Sequence, residues 1–143
     1  MTPQDIGTAG GLFALFTFNH FLVDWVFQTH DEAMKKSTSW LWRARHCLVY
    51  TVGFLPLLWL LGMSPVRVVL GCLVLFVSHF VEDTYLPVFW WAKHIRRMPE
   101  VRQDGIDGFK SQFRTPLGVV LFISIDQIIH LCFLWVLVAL AVQ

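Results

Sequence analysis

Four apolar stretches separated by polar connectors set the strongest limit on how this chain can fold. They cover residues 9–28, 46–63, 66–86 and 115–142, each near the roughly 20 residues that carry a helix across a bilayer. Within lipid, backbone groups must be satisfied inside the segment, so such stretches form helices. The expectation is therefore all-α: one polytopic membrane domain over residues 1–143 with four transmembrane helices. Composition agrees, because 56% of the 143 residues are hydrophobic and only 15% are charged, unlike an average soluble domain. The 7 Trp and 13 Phe suit membrane-interface belts. The second stretch is the shortest and contains Pro56, an expected kink. Thr115-Pro116 opens the fourth as N-cap and first helical residue.

Charge sorts the connectors. Ten of the 11 Lys and Arg residues fall in the first connector, residues 29–45, and the third, residues 87–114. Only Arg67 lies near the second connector, the turn Gly62-Met63-Ser64-Pro65. The positive-inside rule then puts both basic connectors in the cytoplasm and both termini outside. No Lys or Arg precedes the first stretch, which reads as a retained span and not a signal peptide. The third connector opens with Val88 to Met98, aromatic residues followed by basic ones, which suits a helix at the lipid surface. Lys93, Arg96 and Arg97 would meet anionic headgroups there. Pro99 should end that helix, and Asp104 to Gly108 should form a turn. Cys47, Cys72 and Cys132 lie in apolar stretches as packing thiols, and without Cys-x-x-Cys a thiolate zinc site is not expected.

Against this apolar background the polar residues stand out. His20, Asp24 and Gln28 are spaced four apart, so they share one face of a helix. His79-x-x-Glu82-Asp83 and Asp126-Gln127-x-x-His130 repeat the device, and His46 and Tyr50 lie one turn apart at the start of the second helix. An Asp inside a membrane helix costs about 2.5–3.5 kcal/mol on insertion scales, so such groups face a bundle interior. Helix rise puts His20 about 12 Å deeper than Gln28 and His130 deepest of all, about 22 Å from the start of the fourth helix. These residues would line one polar cavity open to the cytoplasm. His30 and His94 fall in connectors and should be solvated.

Imidazole and carboxylate pairs on helix faces are suitable ligands for Zn, Mn or Fe, and a metal site with an open position activates water for hydrolysis. The same residues would also serve a proton or ion path. Bis-histidine haem is disfavoured by the acid one turn from each His. Pairs that only hold the bundle together are the plainer alternative, weakened by their recurrence at similar depth. No His-Glu-x-x-His, Gly-x-Ser-x-Gly, phosphate loop or dinucleotide fingerprint is present, and nothing suggests nucleic acid as a partner.

The set His20-x3-Asp24-x3-Gln28, His46, His79-x3-Asp83 and Asp126-Gln127-x2-His130 resembles a family of small bacterial integral membrane proteins. That family is similar to inner-membrane proteins labelled membrane-bound metal-dependent hydrolases. The resemblance covers most of the chain, His20 to His130, and implies residence in a bacterial inner membrane. It implies His20, Asp24, His79, Asp83, Asp126 and His130 as metal ligands, with Gln28 and Gln127 orienting ligands or substrate. His46 matches a helix-two histidine of the family, and Tyr50 and Glu82 would support the site. Where the family has a Lys soon after the second pair, this chain has Lys93, which departs from that spacing.

Together these readings point to a divalent transition metal and a hydrolase for a lipid-linked or phosphate-containing substrate. Asp24, Asp83 or Asp126 would act as ligand or general base. A transporter and a non-catalytic membrane module are the other classes. Membrane lipid is the expected partner, and a bundle this small invites homo-oligomerisation.

Overall fold

The computed structural model describes residues 2–97 and 115–142. Within them the chain is all-α. Helix α1 spans Pro3–Phe21, starting with a capping box in which Thr2 and Asp5 bond each other's backbone N–H. It runs into a π-helical turn, Leu22–Val26, closed by the Phe27 N–H donating to the Leu22 carbonyl at 3.2 Å. Short helix α2 spans His30–Lys35 and α3 spans Trp40–Leu60. Helix α4 covers Pro65–Glu82, α5 Leu86–His94 and α6 Pro116–Val142.

The four long helices pack in a ring: α1 against α3, α3 against α4, α4 against α6, and α6 against α1. Phe16, Tyr50, Phe54, Leu58, Leu75 and Leu137 form the apolar core. Two glycines permit the closest approaches. A Cβ at Gly53 of α3 would overlap the Val23 side chain, and one at Gly71 of α4 would come 2.9 Å from Leu137 Cδ1.

Polarity is inverted relative to a soluble bundle. His20, Asp24, His46, His79, Glu82, Asp83 and His130 are all at most 3% exposed. Phe18, Leu48, Val69, Val77 and Val120, by contrast, face outward. An exterior this apolar around a polar interior fits lipid and not water as the surrounding solvent. Among the described residues, three helical segments are long and apolar enough to cross a membrane: Gln4–Val26, Pro65–Glu82 and Pro116–Val142.

Four expectations need correction. The second helix begins at Trp40 and not near residue 46, so Arg43 and Arg45 lie in its first turns. Nothing between Ser39 and His46 breaks the helix, and with two arginines it is not one of the three apolar spans among the described residues. The stretch 29–45 is accordingly not a loop, because α2 and the start of α3 fill it. The surface helix is shorter than Val88 to Met98 and packs Ala92, Phe89 and Trp91 against Leu121 and Phe122 of α6. Finally, His130 is not deeper than the rest. It contacts Glu82, the last residue of α4, at 3.2 Å, since the first turns of α6 extend beyond that end to meet α5. The expected Pro99 stop and the Asp104–Gly108 turn lie outside the described residues.

Candidate metal centre

The centre is built from the ends of three helices. The π turn carries Asp24, α3 carries His46, and the last turn of α4 carries His79 with Asp83 capping it. A π turn holds more residues than an α turn, and here the neighbours Val23 and Asp24 are both buried. Gly53 then lets Val23, and Asp24 with it, close onto α3.

His46 Nε2 lies 3.0 Å from Asp24 Oδ1 and 3.0 Å from His79 Nε2. His79 Nε2 is 3.3 Å from Asp24 Oδ1, and Asp83 Oδ2 is 3.5 Å from both ε-nitrogens. Four donor atoms about 2.0–2.1 Å from a tetrahedral zinc stand about 3.3–3.4 Å apart. Within Asp24, His46 and His79 the separations of 3.0, 3.0 and 3.3 Å lie close to that value, so these three donors fit one small divalent ion, and Asp83 stands beside them. Asp24, His46 and His79 form one group able to hold a metal, and His79, Asp83 and His130 form a second that shares His79.

The surroundings set the tautomers. His130 Nδ1–H donates to the Asp126 carbonyl at 2.8 Å, leaving Nε2 without a hydrogen bond although Glu82 Oε2 lies 3.2 Å away. This backbone anchor is common behind metal-bound imidazoles. His46 and His79 have no partner at Nδ1. Their ε-nitrogens are too close for both to carry hydrogen, so at least one offers a lone pair. His20 is engaged at both ring nitrogens: Tyr50 donates to Nδ1 at 2.8 Å, and Nε2–H donates to Gln127 Oε1 at 3.0 Å. The Tyr50 ring stacks on His79 at 3.9 Å between centroids. His20 thus stands outside the two groups able to hold a metal, and His46, expected to support the site, stands in one of them.

One central residue had no sequence signal. Lys36 Nζ lies 2.9 Å from Asp83 Oδ1, 3.4 Å from Asp24 Oδ1 and 3.2 Å from His46 Nε2. Burial pulls its ammonium toward the neutral form, but Asp24 and Asp83 pull harder the other way, so its pKa lies above the ordinary lysine value. Its backbone is pinned by Arg43, which donates to the Lys36 and Ser37 carbonyls at 2.9 Å each. Thr29 and Glu32 cap α2 reciprocally, and Arg45 Nε sits 3.3 Å from Glu32 Oε1. Arg43 and Arg45, which read as topology charges, therefore hold this lysine in place. Lys93, Arg96 and Arg97 are exposed.

Beside the donors lies a cavity of about 180 Å³ lined by Asp24, Gln28, Lys36, Tyr85, Asp126 and Gln127. Asp126 Oδ1 and Gln28 Oε1 are buried there without partners, while Gln127 Nε2 donates to Asp126 Oδ2 at 3.3 Å. Tyr85 adopts a left-handed backbone (φ 60°), uncommon outside glycine, and its ring meets Phe122 edge-on. Of the polar residues that the sequence singles out, Asp24, Gln28, Asp126 and Gln127 line this cavity.

No curated protein and no solved structure matches the chain. Residues 12–143 match the family described as "Protein of unknown function (DUF3307)". That match takes in every donor and cavity residue named above, and the chain belongs to this family.

Proposed function

We propose that the protein is a membrane-embedded, metal-dependent hydrolase acting on a lipid-linked or phosphate-containing substrate. The observation that carries the reading is the buried triad Asp24, His46 and His79, whose donor atoms stand 3.0–3.3 Å apart, as ligands of a single divalent ion do. Charge supports it. Asp24, Glu82, Asp83 and Asp126 bring four carboxyl groups into one interior against the single ammonium of Lys36. A divalent ion would offset part of that excess where lipid cannot.

When bound, Zn, Mn or Fe supplies Lewis acidity for an attacking water or a substrate oxygen. The chain supplies the rest. Asp126 Oδ1, unpartnered at the cavity wall, is placed to take a proton from the nucleophile. Gln28 and Gln127 orient groups in the cavity, and Tyr50 and Gln127 fix His20.

In this reading α3 is the fourth span. Its outward face carries Leu48, Val52, Trp59 and Leu60, and α1 and α4 cover its flanks. Both basic connectors then lie on the cytoplasmic side of a bacterial inner membrane, with the centre near that surface.

Metal analysis of protein purified in detergent tests the proposal. Close to one Zn, Mn or Fe per chain is expected, with clear loss in His46→Ala. Less than about 0.2 ion per chain, after growth with added metal, sinks it. A second reading, a proton path, draws on the direct contact of the His46 and His79 rings. It predicts proteoliposome flux that persists without metal and vanishes in Asp126→Asn.

A further inference from the structure

A second concavity lies on the outer surface of the ring, between α4 and α6. Its volume is about 560 Å³. Leu73, Val77 and Val81 of α4 form one wall and Ile129, Phe133 and Val136 of α6 the other. Both helices are apolar enough to span a membrane, so this groove opens to the bilayer. Its lining is apolar except for Ser78, whose hydroxyl donates to the Leu75 carbonyl, and for one end. There stands Glu82, 3% exposed, with Oε1 lacking any partner. Its other oxygen, Oε2, reaches His130 of the second metal group at 3.2 Å.

Position along the helix gives the groove a polarity. Helix α4 has 18 residues, a length of about 27 Å, close to the hydrocarbon thickness of a bilayer. Glu82 is its last residue and therefore lies near the headgroup level. From Glu82 to Leu73 the groove runs about 14 Å toward the membrane interior. An apolar channel of that direction, ending at an unsatisfied carboxyl at the surface, matches an amphiphile aligned as lipids are.

We infer that the groove binds one hydrocarbon chain of a membrane lipid, with a hydrogen-bond donor of that lipid's polar end on Glu82 Oε1. A hydroxyl-bearing headgroup, as in phosphatidylglycerol, supplies such a donor. The inference gives the proposed hydrolase its substrate class and its route of entry, sideways from the bilayer. It rests on that reading only for catalysis, because lipid binding in the groove requires no metal.

The test uses the full chain in phosphatidylethanolamine vesicles doped with phospholipid carrying a photoreactive acyl chain. One preparation carries the probe as phosphatidylglycerol, the other as phosphatidylcholine, which has no headgroup donor. Mass spectrometry then locates the adducts. The groove binds lipid if adducts concentrate on Leu73, Val77, Phe133 and Val136 over the outward residues Leu48 and Val52 of α3. Val77→Trp, which fills the groove away from the metal residues, should remove most groove adducts and leave those on α3. The phosphatidylglycerol preference should be about fivefold, the worth of one hydrogen bond, and should vanish in Glu82→Gln. Metal-stripped protein should give the same pattern. Even labelling over all outward helices, no effect of Val77→Trp, or crosslinks to a second copy through the groove overturns the inference. If the protein as purified holds less than about 0.2 ion per chain while the groove pattern is unaltered, the hydrolase falls and the lipid site stands.

Discussion

The buried cluster has two sides that meet their charge differently. On one, Asp24 and Asp83 share the ammonium of Lys36, and Arg43, Arg45, Glu32 and Thr29 fix the lysine from outside. On the other, Glu82 and Asp126 flank His130, Asp126 also accepts from Gln127, and no Lys or Arg among the described residues forms an ion pair with either carboxylate. The first side carries a tethered cation. Both sides keep carboxylate oxygens without a hydrogen bond, Asp83 on the first and Glu82 Oε1 and Asp126 Oδ1 on the second, but on the second Glu82 lines the lipid groove and Asp126 the polar cavity with no Lys or Arg among the described residues paired to them. A site with its charge fixed on one side and open on the other suits a resident ion beside an exchanging ligand. His79 belongs to both metal groups and joins the two sides.

The most severe way to break this division is to remove the joint. His79→Ala should weaken metal binding by at least about 100-fold, beyond the usual loss from a supporting residue. Glu82→Gln, on the open side, should cost about tenfold or less. Competition against a chelating dye measures both affinities. Equal losses in the two variants would erase the distinction between the sides.

Next in size is the lysine. Lys36→Met leaves Asp24 and Asp83 buried without their cation, and loss of one partner of a buried pair costs about 3–5 kcal/mol. Thermal unfolding in detergent should show that loss without added metal. Zinc at about 100 times its Kd should return about 2.7 kcal/mol if the ion binds only the folded chain. Glu82→Gln, which has no lysine to orphan, should leave stability nearly unchanged. A Lys36→Met protein that is destabilised and not rescued by any metal would mean that lysine, and not a metal, is the cation this centre was built around.

The lysine also marks the limit of what the sequence discloses. His20, Asp24, His79, Asp83, Asp126 and His130 are legible because a charge inside an apolar stretch has no cheap explanation. Lys36 sits among polar residues of a connector, where a charge is ordinary, and only the fold turns it inward. Helix boundaries were less legible than helix existence. The start of α3 at Trp40 was hidden because Arg43 and Arg45 look like connector residues, yet helical geometry continues through them. The level of His130 was misjudged for a related reason. Counting residues from Thr115 assumes that α6 starts at the membrane surface, whereas its 27 residues, about 40 Å, exceed the hydrocarbon thickness and leave turns for α5 to pack on.

Packing at the two sides should differ as well. In Gly53→Ala the new methyl meets Val23, whose branched Cβ leaves few rotamers for escape, next to Asp24. A cost of about 1–3 kcal/mol is expected, together with weaker metal binding as the π turn shifts. Gly71→Ala meets only the tip of Leu137, which can rotate, so it should cost less and leave metal affinity alone. Comparing unfolding and metal titration of the two variants checks whether the π turn is held by α3. If Gly53→Ala loses stability but keeps full affinity, Asp24 does not depend on that contact.

The smallest effect concerns the latch behind Lys36. Thr29 caps α2, its hydroxyl meeting the Glu32 N–H at 3.3 Å and the Glu32 carboxylate at 2.8 Å. Thr29→Ala should cost about 1 kcal/mol, as other cap deletions do. Its pH dependence carries the more specific information. Burial pushes the Glu32 carboxyl up, but the Thr29 backbone and side-chain hydrogen bonds, with Arg45, bring it below its ordinary value of 4.5. A carboxyl depressed in the folded state contributes stability fully above that value and loses it as the pH falls through the folded pKa. The wild type should therefore lose stability below about pH 4.5, and Thr29→Ala, which keeps only the backbone bond, should lose less over the same range. The difference between the two curves isolates this cap from the other carboxylates. If that difference is flat from pH 3 to pH 7, Glu32 does not hold the latch through Thr29. Lys36 would then be kept in place by Arg43 alone.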